Sequence, residues 1–308
     1  MSMQIRPSDK YSFGCRIDGV DVAAGVDDAS YAAIESALHK HLVVCVSGEP
    51  YGHDSLVKFG RRFGNLTINV AKTFHHDRAP EVVVLSNEII NGKAQGSDDA
   101  GQIWHTDMSY DRIAGRATLL HAHKVPVKDG KALGDTAFRN MHAAYDQLPE
   151  TLKQRLAERE AVHEFEWLWT QMLRRGSTRP VFTDAQRREK PPVVHPVFLQ
   201  HPWTNRKSIY VNRGLTQRIL GLSPAESDEA LQFLFDFQEK PEFEFRHQWR
   251  VGDTLIWDNC ASIHVATGGY DQSTPRVMIR VQATGDEALY RAANGTLGGR
   301  AILEGIPA

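Results

Sequence analysis

Asp253-Thr254-Leu255-Ile256-Trp257-Asp258-Asn259 is an apolar run bounded by aspartates, and it reads as a short strand ending in a polar turn. Cys260-Ala261-Ser262-Ile263-His264 follows, then the turn former Gly268-Gly269-Tyr270-Asp271, and then Pro275-Arg276-Val277-Met278-Ile279-Arg280 as a return strand. The same rhythm runs through the second half of the chain. Strands are predicted at 117–123, 209–212, 242–249 and 276–283, with helices near 141–159 and 226–238. Many short strands closed by Gly, Pro and Asp turns, with helices to the side, predict a mainly β protein with flanking helices, a double-sheet β-sandwich or jelly roll. No Gly-rich fingerprint joins a strand to a helix, which argues against a dinucleotide-binding domain.

Upstream the elements alternate. Asp27-Asp28-Ala29-Ser30 precedes Tyr31, Ile34, Ala37 and Leu38 at helical spacing, predicting a capped helix over about 28–40. Leu42 to Val46 reads as a buried strand, 53–63 as a second helix and 82–85 as another strand. The segment from Glu164 to His195 breaks the pattern, with Trp167, Trp169, Arg174, Arg175, Arg179, Arg187, Arg188 and Lys190 at no clear period. A long irregular stretch inside a compact domain is a lid or binding loop or else disordered; an active-site lid is expected here at about 164–195, its basic excess suiting either an anion or a solvated surface.

The 308 residues allow one large domain or two. Apolar residues at 41% and charged residues at 24% are those of a chain with a packed core. Lys and Arg number 36 against 38 Asp and Glu, so no global field attracts nucleic acid or an anionic membrane, and an anionic ligand must be held by a few local bases. Cys15, Cys45 and Cys260 are odd in number and form no C-x-x-C pair, which argues against a disulfide framework or a thiolate zinc site and predicts a reducing, cytoplasmic setting. No apolar run approaches the roughly 18 residues of a membrane span, and no secretory leader is evident.

The chemistry points to Gln102-Ile103-Trp104-His105-Thr106-Asp107-Met108-Ser109-Tyr110. In a strand, residues two apart share a face, so His105 and Asp107 would present an imidazole beside a carboxylate. That is two-thirds of the 2-His-1-carboxylate set that binds non-heme Fe(II) and leaves coordination positions open. An H-x-D triplet alone is more often an ordinary polar pair. His264 supplies a candidate third ligand, and Arg276 and Arg280, on one face of the return strand, would bring two guanidiniums suited to carboxylates.

Taken together, the H-T-D triplet after a tryptophan, the distant W-D-N followed by a histidine, and the final R-x-x-x-R resemble the Fe(II)/2-oxoglutarate-dependent dioxygenases of the taurine dioxygenase (TauD/TfdA) family. Arg61-Arg62-Phe63-Gly64-Asn65-Leu66 resembles that family's R-x-F-G-x-L, Gly134-Asp135-Thr136 its G-D-T, and His195-Pro196 with His201-Pro202 its doubled H-P segment. The resemblance runs from about residue 12 to 286 and implies a double-stranded β-helix. It implies that His105, Asp107 and His264 bind iron, and that Thr136 and Arg276 hold the distal carboxylate of 2-oxoglutarate, which chelates the metal through its other end. It further implies that O2 is consumed, that succinate and CO2 are released, that Arg280 holds the anionic group of the substrate, and that Asn69, Lys72, Met108 and Leu215 shape the substrate pocket. Asn69 and Leu215 stand where taurine dioxygenase itself has a histidine and a phenylalanine, which points away from taurine. The partner expected is a small anionic organic substrate, hydroxylated, desaturated or oxidatively cleaved, with neither nucleic acid nor membrane; relatives commonly form homo-oligomers.

Other readings compete. The H-x-H of His121 and His123 has no carboxylate at suitable spacing and is read as core or surface; Trp104 and Trp257 are read as packing beside the ligands, and Cys260 as buried and unreactive. A non-catalytic jelly-roll metal-binding or small-molecule sensor protein would keep the fold without the reaction. A zinc hydrolase on the same triad would need a general base, which the sequence does not nominate. Because His264 must meet His105 and Asp107 from about half the chain away, a single domain over 1–308 is expected.

Overall fold

The computed structural model describes residues 2–68, 74–76, 78–177, 179–295 and 298–302. Eight strands form the main sheet, in the order Gln4–Pro7, Cys15–Asp18, Val43–Val46, Thr254–Asp258, Gly115–Lys124, Val277–Thr284, Ala79–Ser86 and His75–His76. The Thr254–Asp258 strand is the keystone: it pairs antiparallel with Val43–Val46 on one side and Gly115–Lys124 on the other. All five of its residues are buried, consistent with a central strand covered on both faces.

Alternation sorts the side chains of this sheet. Ile256, Leu119, Ile279 and Val281 face outward, into a core with Ile34, Leu38, Leu56, Phe59 and Phe63 of the helices Asp28–His41 and His53–Gly60 and the turn after them. Leu255, Trp257, Leu120, Ala122 and Met278 face inward and meet Phe138 and Phe245 of a three-stranded sheet ordered Glu244–His247, Thr136–Asn140, Ser262–Ala266. The Phe138 and Trp257 rings cross the gap edge-on at 5.6 Å, so two sheets close on one apolar core. A four-stranded sheet (Thr216–Ile219, Glu160–His163, Val193–Pro196, Arg300–Ala301) extends the second wall, and the Pro224–Gln238 helix packs beneath with Leu231, Leu234 and Phe235.

Several elements differ from the sequence expectation. Instead of one helix over 141–159 there are two, Met141–Asp146 and Glu150–Leu156, because Pro149 lacks the N–H a continuous helix needs and instead precedes the first turn of the second. The strand expected at 209–212 lies at Lys207–Ile209, and the one at 242–249 begins with a Pro241–Phe243 helical turn and pairs only over Glu244–His247. The segment 164–195 is not irregular. It holds the helices Phe165–Arg174 and Asp184–Glu189 and enters the Val193–Pro196 strand. The buried faces Phe165, Trp169 and Met172 do have helical spacing, but the clustered bases obscured it.

Three of those six bases are held in ion pairs. Arg179 pairs with Asp99 at 2.6 Å, Arg187 with Glu166 and Asp184, and Lys190 with Asp111. The ion pairs of Arg179 and Lys190 tie the two-helix segment to 97–111, the stretch that carries the H-T-D triplet. No helix among the described residues is long and apolar enough to cross a membrane.

Candidate metal centre

His105 and Asp107 do not lie in a regular strand. His105 forms an isolated antiparallel bridge with His264, and Asp107 falls in the turn that follows. Thr106, between them, is buried and donates to the Asn259 carbonyl at 2.7 Å. Met108 then adopts φ +62°, a left-handed conformation rare for a residue with a long side chain, and Asp111 N closes the turn on Met108 O at 2.9 Å. The tight fit behind it explains Gly115, where a Cβ would sit 2.9 Å from Met108 Cβ and Sδ.

The bridge brings His105 Nε2 to 3.5 Å from Asp107 Oδ1 and His264 Nε2 to 3.8 Å from Asp107 Oδ2. These gaps are too wide for strong hydrogen bonds and suit donors grouped about a shared cation. Ligand-capable atoms of the three residues lie within 4.8 Å of one another, and all three residues are buried. The tautomer of His105 is set by Nδ1, which donates to the Ile103 carbonyl at 2.8 Å and leaves the Nε2 lone pair facing Asp107. Burial, then the neighbouring His105, pushes His264 down to about 3, so its imidazole is neutral at pH 7. For Asp107 burial opposes ionisation, but the fixed charge of the Arg280 guanidinium, with the polar imidazoles of His264 and His105 beside it, holds the carboxyl well below the usual range.

Sequence reasoning missed the layer behind these ligands. Thr118 Oγ1 donates to Asp107 Oδ2 at 2.8 Å and itself accepts from Asn259 Nδ2 at 3.1 Å. A threonine within the apolar run Ala117 to Leu120 was the available signal, since inward-facing residues of that strand are otherwise apolar. Trp257 lies 4.7 Å from the His264 ring and Phe138 5.7 Å, walling that ligand with aromatic surface, while Arg139 stacks on Trp104 at 4.5 Å.

Thr136 and Arg276 are both buried, and Thr136 pairs with Ala266, two residues past His264 on the same strand. The Thr136 hydroxyl accepts from Trp249 Nε1 at 3.0 Å. Gly134 turns at φ +75°, and a Cβ there would meet the Tyr270 ring at 2.8 Å and Arg276 Nε at 3.4 Å, so the Gly134-Asp135-Thr136 turn lies directly against the arginine. The Arg276 backbone is pinned by Asn87 Oδ1 at 2.8 Å and its guanidinium rests 5.6 Å from the centroid of Tyr270, with no carboxylate partner among the described residues. Arg280 reaches Asp107 Oδ1 at 4.0 Å.

The remaining nominated residues divide. Asn69 and Lys72 lie outside the described residues. Met108 at 1% exposure and Leu215 at 0% have almost no free surface: Met108 packs on Gly115, and Leu215 packs with Phe165, Trp169 and Phe182. The H-P histidines are structural. His195 binds Tyr290 OH (2.6 Å) and the Asp111 carbonyl (2.9 Å), while His201 Nε2 donates to Asp258 (2.8 Å). His121 is fully buried, hydrogen-bonded to Thr254 Oγ1 and the Tyr51 N–H.

A jelly-roll wall carrying two imidazoles and one ionised carboxylate, with two arginines alongside, defines the class of non-heme metal oxygenases. The chain matches the family "taurine catabolism dioxygenase TauD, TfdA" over residues 4–282, and it belongs to that family of 2-oxoglutarate-dependent dioxygenases. It is 30% identical over 292 residues to a pentalenolactone F synthase of Streptomyces arenae, covering 92% of this chain and 96% of that one. It is 30% identical over 284 residues to an α-ketoglutarate-dependent 2,4-dichlorophenoxyacetate dioxygenase of Burkholderia sp. (strain RASC), covering 88% and 91%. Among solved structures, AAD-2 in complex with Mn(II) and N-oxalylglycine superposes with a TM-score of 0.77 at 26% identity, covering 93% and 98%. Membership implies iron and 2-oxoglutarate, and it favours an oxygenase over a binding or sensor protein of the same fold.

Proposed function

We propose that the chain is an oxygenase of small organic anions in which His105, Asp107 and His264 hold Fe(II), Thr136 and Arg276 take the distal carboxylate of 2-oxoglutarate, and Arg280 pairs the anionic group of the substrate. The observation that carries this reading is the convergence of the three ligand side chains within 4.8 Å, beside one buried arginine with no carboxylate partner among the described residues and another whose nearest is Asp107 at 4.0 Å. The donor set fits the metal: two imidazole nitrogens and one carboxylate oxygen suit a divalent first-row ion and leave positions open. Iron with 2-oxoglutarate supplies oxidation of a C–H bond by O2, with release of succinate and CO2.

The protein's own residues do the rest. Ile103 O and Thr118 Oγ1 orient His105 and Asp107 so that both present lone pairs to one point. Arg276, clamped between the Gly134 turn and Tyr270, offers a planar fork to a carboxylate in a water-poor pocket. The two helices of 164–195, seated through Phe165, Trp169 and Phe182, serve as the lid over a single domain spanning 1–308. Hydroxylation is the expected outcome, with desaturation or oxidative cleavage as variants of the same hydrogen removal. A cytoplasmic setting is supported by three buried free cysteines, and a homo-oligomer rests on the family resemblance alone.

The relatives named for 2,4-dichlorophenoxyacetate and for sulfate esters act on small anions, which supports the same substrate class here. Screening aryloxyalkanoates, alkyl sulfates and alkylsulfonates for succinate release with Fe(II), ascorbate and 2-oxoglutarate tests the reading. Stimulation by at least one anion and by none of the matching neutral alcohols is expected; equal response to both would remove Arg280 from the role given to it.

A further inference from the structure

The backbone of Thr136 is held in the three-stranded sheet between His247 and Ala266, so only the side-chain torsion and the hydroxyl rotor are left to fix. Directly opposed residues share a face, and Phe138, two residues on, opposes His264 and stacks 5.7 Å from its ring. Thr136 therefore faces the same interior as that metal ligand. There its Oγ1 accepts from the indole N–H of Trp249 at 3.0 Å, and Trp249 is itself buried at 1% exposure in the cluster of Phe138, Phe245, Leu255 and Met278.

Trp249 has little freedom of its own. The chain turns immediately after it, closed by Arg250 N on Asp253 Oδ2 at 3.0 Å and by Asp253 N on Arg250 O at 3.1 Å. His247, two residues before it, meets its ring at right angles with centroids 4.8 Å apart, and His247 Nε2 lies 3.2 Å from the same Asp253 Oδ2. An indole N–H can only donate, so Thr136 Oγ1 is the acceptor in this bond and its own hydrogen must point elsewhere. Among the described residues that hydrogen meets no acceptor. Neither does the buried Nε–H of Arg276, which lies against the Gly134 turn two residues before Thr136. Buried donors in a native fold ordinarily have partners, and these two are the ones assigned above to a carboxylate.

We propose that Trp249 is a positioning residue for 2-oxoglutarate: by occupying a lone pair of Thr136 Oγ1 it turns the hydroxyl hydrogen toward the distal carboxylate. Donation into the hydroxyl oxygen also polarises the O–H bond and makes it a stronger donor in turn. Without the indole the hydroxyl is an unguided rotor, free to present lone pairs to the carboxylate instead. The assignment rests on the role given to Thr136 above. It adds a residue that touches neither metal nor cosubstrate, and it gives His247 and Asp253 a task, since both hold the indole in register with the hydroxyl.

The test measures, by calorimetry on Mn(II)-loaded protein, the binding of N-oxalylglycine, which carries a distal carboxylate, and of oxalate, which does not. Neither is turned over, so the readout is independent of the primary substrate. Trp249→Phe should raise the Kd for N-oxalylglycine about three- to tenfold, the worth of one hydrogen bond, and leave that for oxalate within about twofold. Thr136→Val should lose at least as much, and adding Trp249→Phe to it should cost nothing further, because the indole then has no hydroxyl to orient. An unchanged N-oxalylglycine Kd in Trp249→Phe, an equal loss for both ligands, or a second full loss in the Thr136→Val background each overturns the Trp249 assignment and leaves the role of Thr136 in place. Undiminished binding by Thr136→Val, or no binding by the parent, overturns the role of Thr136 and this assignment together. Should Trp249→Phe not fold, the parent is followed by NMR with Zn(II) in place of Mn(II). The indole N–H resonance that Thr136→Val displaces must then shift on adding N-oxalylglycine and stay in place on adding oxalate, and any other result overturns the assignment.

Discussion

His105 and His264 are joined through their backbones: His105 N donates to His264 O at 3.1 Å, and His264 N donates to His105 O at 2.8 Å. A reciprocal pair of this kind is the hydrogen-bonded unit of an antiparallel ladder, and it places two imidazoles on the same side with ring centroids 4.2 Å apart. Two ligands from distant parts of the chain are thus fixed by main-chain geometry, and only Asp107 depends on a side-chain brace.

Removing a ligand should empty the centre. His105→Ala and Asp107→Ala are each expected to lose iron-dependent succinate formation and to bind less than one equivalent of Fe(II) under conditions where the parent binds one. Metal analysis of the purified protein is the check, and full loading of either variant would take that residue out of the ligand set.

The brace on Asp107 predicts a milder defect. Thr118→Val keeps the shape of the side chain but leaves Asp107 Oδ2 without its donor, so metal affinity should fall about 10- to 100-fold, with activity restored by excess Fe(II). Titrating Fe(II) against succinate release measures it. A variant that is inactive at every iron concentration would mean that Thr118 does more than orient the carboxylate.

Arg276→Ala should raise the KM for 2-oxoglutarate by at least tenfold, because a carboxylate in this pocket would lose its one charged partner. The metal content should be unaffected. Equal KM values for parent and variant would place the cosubstrate elsewhere.

Acid should destabilise the protein well before its carboxylates titrate. Burial, the largest cause in each case, lowers His121, His142 and His195 to about 4, against about 6.5 in the unfolded chain. Between pH 6.5 and 4 the unfolded state therefore binds protons that the folded state does not, so stability is full above pH 6.5 and falls as pH drops. Thermal melts from pH 7.5 to 4.5 should show Tm declining steadily below 6.5, and a flat Tm across that range would contradict the burial of these rings in neutral form. The His121→Gln variant, which keeps a polar side chain, should flatten part of the slope.

Much of this was legible in one dimension because strand alternation and turn residues repeat locally. The strand at 253–257 and its return strand, the capped helix from about 28 and the H-T-D, W-D-N and R-x-x-x-R residues could all be placed before any contact was known. The two helices of 164–195 were missed for an energetic reason. Their stability comes from seating Phe165, Trp169 and Met172 on the body and from ion pairs to Asp99 and Asp111, interactions that a local reading cannot see. The strand expected under His105 and Asp107 was likewise replaced by a bridge and a turn, since the residue between the ligands is held by the Asn259 carbonyl from across the fold.

The sequence by itself determined the residue types of the centre, their order and the jelly-roll class, because ligand chemistry and the strand period of two are properties of side chains and backbone alone. Tertiary structure decided which groups share a space. It set Thr118 behind Asp107, laid Arg276 against the Gly134 turn, and withdrew Met108 and Leu215 into packed interiors. The physical reason is that partnership is a matter of distance and desolvation, and both are fixed only when strands far apart in sequence pair across one core.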